Sequence, residues 1–218
     1  LAVQCDITSA ADRRRLVAEV ASWSGSLDLL VLNASGGMER ARLLEDPAFP
    51  MRINHDGQVG MVEALVDRLR PGADIIFVTS HWAHLYGRIQ QVQSYEAVAE
   101  SKHAGERALR AMVPALLGRG IRLLVITGDL IEGSITARLL ERMAHGTASQ
   151  RREEVGVLVT VEDLALAMVE AAGDPQLPSG HLVVVGGSLE RLLGRVLQPA
   201  GSARRPASPP PGATSDAQ

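Results

Sequence analysis

Five short apolar runs punctuate this chain: Leu1–Cys5, Leu27–Asn33, Ala73–Thr79, Ile121–Thr127 and His181–Val185. Each is apolar nearly throughout, the pattern of a strand covered on both faces. The segments between them carry apolar residues at helical period, over Ser9–Trp23, Asn54–Leu69, Tyr95–Leu117, Ser134–Arg142 and Val161–Ala172. Buried strands alternating with amphipathic helices predict βαβ units, hence a doubly wound parallel sheet of the α/β class. Thr8 or Ser9 is placed to cap the first helix, and Thr160 precedes the acidic Glu162 and Asp163 that suit the positive end of another.

The alternation covers residues 1–198 as one domain, while 199–218, rich in Pro, Ala, Ser and Gly, buries too little apolar surface to order itself. The chain opens directly on an apolar run, which is the expectation for a fragment whose N-terminal portion is missing. No internal repeat is visible. With 46% hydrophobic residues in 218, the core is ample, and aromatics at 3% leave it to Leu, Val, Ala and Ile. A net charge of −3 with scattered Lys and Arg argues against a nucleic-acid partner. The absence of a long apolar run argues against a membrane span. The lone Cys5 excludes an internal disulfide and suits a reducing cytoplasm.

In an open parallel sheet, ligands lie beyond the carboxyl ends of the strands. Those ends read Asp6-Ile7-Thr8, Asn33-Ala34-Ser35-Gly36-Gly37, Thr79-Ser80-His81-Trp82 and Thr127-Gly128-Asp129, with small, polar and glycine residues at all four. Near them, Tyr95 and Lys102 stand seven apart, about 10.5 Å along an unbroken helix and on one face. An ammonium beside a phenol favours the phenolate, and a phenol so tuned is a general acid towards a carbonyl oxygen. His81, Trp82 and His84 lack an accompanying carboxylate or Cys at ligand spacing and read as pocket lining, with Trp82 an apolar wall.

Taken in order, these motifs resemble the short-chain dehydrogenase/reductase (SDR) family from its third strand onward. Asp6-Ile7-Thr8 matches the family's strand-three end. Residues 28–35 (DLLVLNAS) are similar to D-x-L-V-N-N-A-G, and Asn54-His55-Asp56-Gly57 to N-x-x-G. Val78-Thr79-Ser80 fits the strand-five end, Ser101-Lys102-His103-Ala104 the S-K-x-A of the catalytic helix. Gly120-Ile121-Arg122 with Val125 to Gly128 fits G-I-R-V-N-x-V-x-P-G, and residues 180–187 resemble G-x-x-L-x-V-D-G-G.

The resemblance implies hydride transfer between NAD or NADP and a small carbonyl or alcohol. Ser80 would hold the substrate oxygen, Tyr95 donate the proton, Lys102 tune the phenol and bind the cofactor ribose, and Asn54 anchor a relay water. Asp6, Ile7, Asn33, Ala34, Ser35, Lys102, Thr127 and Gly128 would contact the cofactor, and residues 129–136 correspond to the substrate loop. Relatives pair through the helices after strands four and five, so a homo-oligomer, dimer or tetramer, is implied.

Two departures bear on activity. The T-G-x-x-x-G-x-G cofactor motif is absent from the chain, and no Y-x-x-x-K occurs: Val98 stands four before Lys102, and Tyr95 one turn earlier. Either the acid has migrated to Tyr95, with Tyr86 the other possible donor, or the chain is a non-catalytic dinucleotide-fold protein with a degenerate site.

Overall fold

The computed structural model describes residues 1–196, so the expected tail at 199–218 lies outside the described residues. Four strands, β1 (Leu27–Leu32), β2 (Leu69–Ser80), β3 (Arg122–Gly128) and β4 (His181–Val185), form one parallel sheet in the order β1-β2-β3-β4. The helices are α1 (Ala10–Trp23), α2 (Arg40–Glu45), α3 (Phe49–Met51), α4 (Gly57–Leu65), α5 (His81–His84), α6 (Glu96–Ala111), α7 (Val113–Leu117), α8 (Ile135–Met143), α9 (Thr147–Val155), α10 (Val161–Gly173) and α11 (Leu189–Val196).

Successive side chains of a strand point to opposite faces, and β2 shows why the sheet is doubly wound. Ile75 and Phe77 pack with Val62 and Leu65 of α4, Leu109 of α6 and Leu116 of α7. Ile76 and Val78 pack on the other face with Leu164, Met168 and Ala171 of α10. At the amino end, the Arg122 guanidinium grips Asp74 through two bonds of 2.7 and 2.9 Å, tying β3 to β2.

The apolar run Leu1–Cys5 is not a strand. A strand exists by exchanging backbone hydrogen bonds with a neighbour, and β1 pairs only with β2 among the described residues. The outer edge of β1 is correspondingly open, with Leu29 42% and Val31 41% exposed. The periodic stretch from Tyr95 to Leu117 is two helices joined at Met112, with Pro114 in the first turn of the second. Helix α9 falls in a polar stretch without apolar periodicity and was not foreseen from sequence. The predicted helix from Asn54 begins instead as a π-turn, Arg52–Asp56, in which the Gly57 amide reaches back to the Arg52 carbonyl. Such π-bulges recur at functional sites, and this one turns Asn54 inward until it is 1% exposed.

Candidate active site

Beyond the carboxyl ends of β1, β2 and β3 lies a cleft of about 490 Å³. Asn33, Ser35, Ser80, Tyr95, Lys102 and Gly128 line it, so six of the sequence-predicted residues converge there. Trp82, Val92, Leu130 and Leu140 supply an apolar wall.

Ser80 ends β2 and caps α5, its Oγ accepting the Ala83 amide at 3.2 Å. The same oxygen accepts the Tyr95 hydroxyl at 3.1 Å. Tyr95 reaches it because α6 starts only at Glu96: Tyr95 closes the 3-10 turn Gln93–Tyr95, and its ring packs into the cluster of Val98, Leu130 and Leu140. The helix therefore begins late enough to swing the phenol inward. Val98, the residue at the family's usual tyrosine position, is spent on that apolar cluster.

The electrostatics differ from the sequence expectation. Burial pushes the Tyr95 phenol above its ordinary range, partly offset by the Ser80 hydrogen bond. No neighbouring ammonium pulls it down. Lys102 donates instead to the Val78 carbonyl at 3.2 Å. It is 8% exposed, and desolvation lowers its pKa to about 8. An ammonium offers three donors, so Lys102 retains capacity towards the cleft.

Asn54 is a staple. Its Oδ1 accepts Ser35 Oγ at 2.9 Å and the Gly36 amide at 3.4 Å, and its Nδ2 donates to Gly36 O at 2.9 Å and Ser101 Oγ at 3.0 Å. That uses the full capacity of a carboxamide. The carboxamide thereby ties the β1 end to α6. The carbonyl of Asn54 lies so close to Gly105 that a Cβ there would intrude on it.

The other predicted contacts stand apart from the cleft. Asp6 is exposed and binds Thr8 through its backbone amide and hydroxyl, at 2.9 and 2.8 Å. Ile7 packs beneath Gly57 in the core. Ala34 gives its carbonyl to the Gln58 amide. Thr127 is fully buried, its hydroxyl 3.0 Å from His81 Nδ1. His81 is thus no pocket residue: its Nε2 lies 2.7 Å from Gly187 O, which makes it a strut across the strand ends. His84 is turned away to Glu106, at 2.9 Å. Of the three residues read as pocket lining, Trp82 alone lines the cleft.

Two features escaped the sequence. Thr79 Oγ1 is buried without a hydrogen-bond partner, in a residue that lines the cleft. Asp129 and Arg151 form a buried fork of two 2.8 Å bonds. Nothing local signals that pair, since the partners are 22 residues apart and Arg151 sits in an otherwise hydrophilic run.

A family model described as enoyl-(acyl carrier protein) reductase matches residues 1–185. No curated protein matches the chain by sequence. Among solved structures, the 3-alpha-hydroxysteroid dehydrogenase from Pseudomonas sp. B-0831, complexed with NADH, superposes with a TM-score of 0.68 at 22% identity. That match covers 85% of this chain and 82% of the dehydrogenase. The RhlG/NADP active-site complex from Pseudomonas aeruginosa gives 0.69 at 21% identity, over 86% and 75% of the two chains. A short-chain dehydrogenase from Streptomyces avermitilis gives 0.63 at 18% identity, over 89% and 73%. At such identities the structural likeness speaks for the fold. Together with the family match over most of the chain, the sheet order and the serine at the end of β2, it leads to one assignment: the chain belongs to the short-chain dehydrogenase/reductase family, a family of oxidoreductases.

Proposed function

We propose that the protein is an NAD(P)-dependent oxidoreductase interconverting a small or medium carbonyl compound and its alcohol. The observation that carries the reading is the meeting of the Tyr95 hydroxyl, Ser80 Oγ and Lys102 in one cleft, with the first two 3.1 Å apart. The residues present fit the ribose and nicotinamide end of such a cofactor: Lys102 has donors to spare, the Thr79 hydroxyl lacks a partner, and Asn33, Ser35 and Gly128 form the adjoining wall. The bound dinucleotide supplies or accepts the hydride.

In the reducing direction, Ser80 turns its hydroxyl proton to the carbonyl oxygen and holds it. Tyr95 then gives that oxygen a proton as the alcohol forms. A phenol kept protonated by burial suits this role as an acid. The phenolate left behind is stabilised by the Lys102 ammonium once the two are drawn to a common ligand. Asn54 contributes by fixing Ser35 and Ser101, and through them the two walls of the cleft. Trp82, Val92 and Leu140 exclude water and favour an apolar substrate.

The reading extends to a cytoplasmic enzyme acting as a homodimer or tetramer. No helix among the described residues is long and apolar enough to cross a membrane. Exposed Leu166 and Val169 on α10 and Val184 on β4 offer apolar surface for pairing, beside the helices after β1 and β2 expected from sequence.

Oxidation of NADH and NADPH by the protein, followed by absorbance against a panel of aliphatic and aromatic aldehydes and ketones, tests the proposal. Turnover with at least one pair is expected. No oxidation with any pair refutes it and leaves a non-catalytic dinucleotide-fold protein.

A further inference from the structure

The segment between β3 and α10 folds into a helical hairpin, α8 and α9, that closes the outer side of the cleft through Ser134, Ile135, Arg138, Leu140 and Thr147. Glycines with left-handed backbones flank it, Gly133 at φ +77° and Gly156 at φ +88°, so its ends turn sharply. The hairpin must be held in place by its contacts.

Beside the apolar packing of Leu140 and Val155 with Tyr95, Leu130 and Leu158, one polar contact ties the hairpin to the sheet. Arg151 of α9 reaches the end of β3 and donates through Nε and Nη2 to the two oxygens of Asp129, each at 2.8 Å. Asp129 is itself seated by the Leu130 amide at 2.7 Å and the Gly187 amide at 2.9 Å. The guanidinium also lies over the Trp82 ring, 5.4 Å from its centre. Trp82 lines the cleft, as does Asp129. The side chains of the pair are 6% and 1% exposed. By contrast, the other ion pair joining the hairpin to the loop, Arg152 to Glu132, is half in solvent and contributes little.

Room for the fork depends on glycine. A Cβ at Gly187 would strike Asp129 Oδ2 and come within 2.7 Å of Arg151 Nη2. His81 braces the same spot by bonding Gly187 O. The ends of β2, β3 and β4 are thus gathered around one guanidinium carried by the hairpin.

We propose that Arg151 is a positioning residue for substrate: clamped on Asp129 and stacked on Trp82, it holds the α8–α9 hairpin as the outer wall of the cleft and thereby sets the affinity for an apolar carbonyl compound. This rests on the oxidoreductase reading given above. The cofactor wall at Gly128 adjoins Asp129, but what the hairpin itself adds to the cleft is Ser134, Ile135, Arg138, Leu140 and Thr147, so loosening the clamp shifts the outer, substrate side first. The pair stays charged at neutral pH, because the guanidinium and backbone donors hold the Asp129 carboxyl below its ordinary range despite burial.

The test compares Arg151→Lys, which keeps the charge but loses the fork and the stacking, with Gly187→Ala, which leaves both charges and forces them apart. In each, substrate KM should rise about tenfold, with kcat and cofactor KM within about twofold of the parent, a split that general loosening does not produce. Unchanged substrate KM in the folded variants, or a parallel loss of kcat and cofactor affinity, overturns the proposal. A second readout needs no turnover. In a Trp23→Phe background Trp82 is the one tryptophan left, and acrylamide quenching of its fluorescence should increase in both variants. Unchanged quenching overturns the clamp, whereas failure of the parent to turn over any substrate counts against the oxidoreductase reading alone.

Discussion

Replacing Lys102 by Met should stabilise the folded protein at neutral pH while disabling the site. In the fold this amine is 8% exposed, and burial lowers its pKa from 10.5 to about 8. A drop from 10.5 to about 8, at about 1.4 kcal/mol per pH unit, corresponds to roughly 3 kcal/mol. Below pH 8 both folded and unfolded chains carry the ammonium, so the full desolvation cost opposes folding. Between pH 8 and 10.5 the unfolded chain binds the extra proton, and stability rises with pH until the cost is gone. Methionine fills a similar volume without the charge. It forfeits the bond to Val78 O, about 1 kcal/mol, leaving a net gain of about 2 kcal/mol at pH 7. For a chain of this size that raises Tm by about 4–8 °C. Urea denaturation at pH 7 and pH 10.5 measures the difference directly. The variant should lead at pH 7 and fall level with or slightly behind the parent at pH 10.5. A variant less stable at pH 7, or a difference independent of pH, would refute a buried, strained ammonium.

Other outcomes follow from the same geometry. Tyr95→Phe should lower kcat for carbonyl reduction by about 10²- to 10⁴-fold, while Tyr86→Phe, outside the cleft, leaves it within about twofold; equal losses would dismiss Tyr95 as the donor. In a pH profile, kcat/KM for the cofactor should fall above about pH 8 as Lys102 loses its proton, and a flat profile to pH 10 would disconnect the amine from binding. Ser80→Ala removes both the α5 cap and the partner of Tyr95: about 1 kcal/mol of stability by denaturant titration and about 100-fold in kcat. Gly105→Ala drives a methyl into the Asn54 carbonyl and should cost about 2–3 kcal/mol; an unaltered urea midpoint would show that α6 can back away from the π-turn.

Much of the architecture was legible because burial on both faces leaves a strong mark. The run His181–Val185 was placed to the residue, and β3 and α10 to within one, since strands without a polar face and amphipathic helices differ in period. The run Leu1–Cys5 misled because apolar composition reports a wish for burial, while a strand requires a partner edge. Ser80 was legible as a polar residue at the carboxyl end of a strand, and Lys102 through its helical spacing from Tyr95 and the S-K-x-A resemblance. Asn54 was located, but its bonding pattern was not legible, since it depends on a π-turn that no single residue announces.

On its own, then, the linear order of residues determined a parallel α/β domain and the edge at which its chemistry would gather, because period and polarity are local properties of the chain. Only the folded molecule decided how the site is wired: that Tyr95 stops short of α6 and binds Ser80, that Lys102 answers to a carbonyl and to its own burial, and that Arg151 crosses to Asp129. These depend on helix starts, desolvation and contacts between residues distant in sequence, which exist only when the sheet, its helices and the hairpin are assembled together.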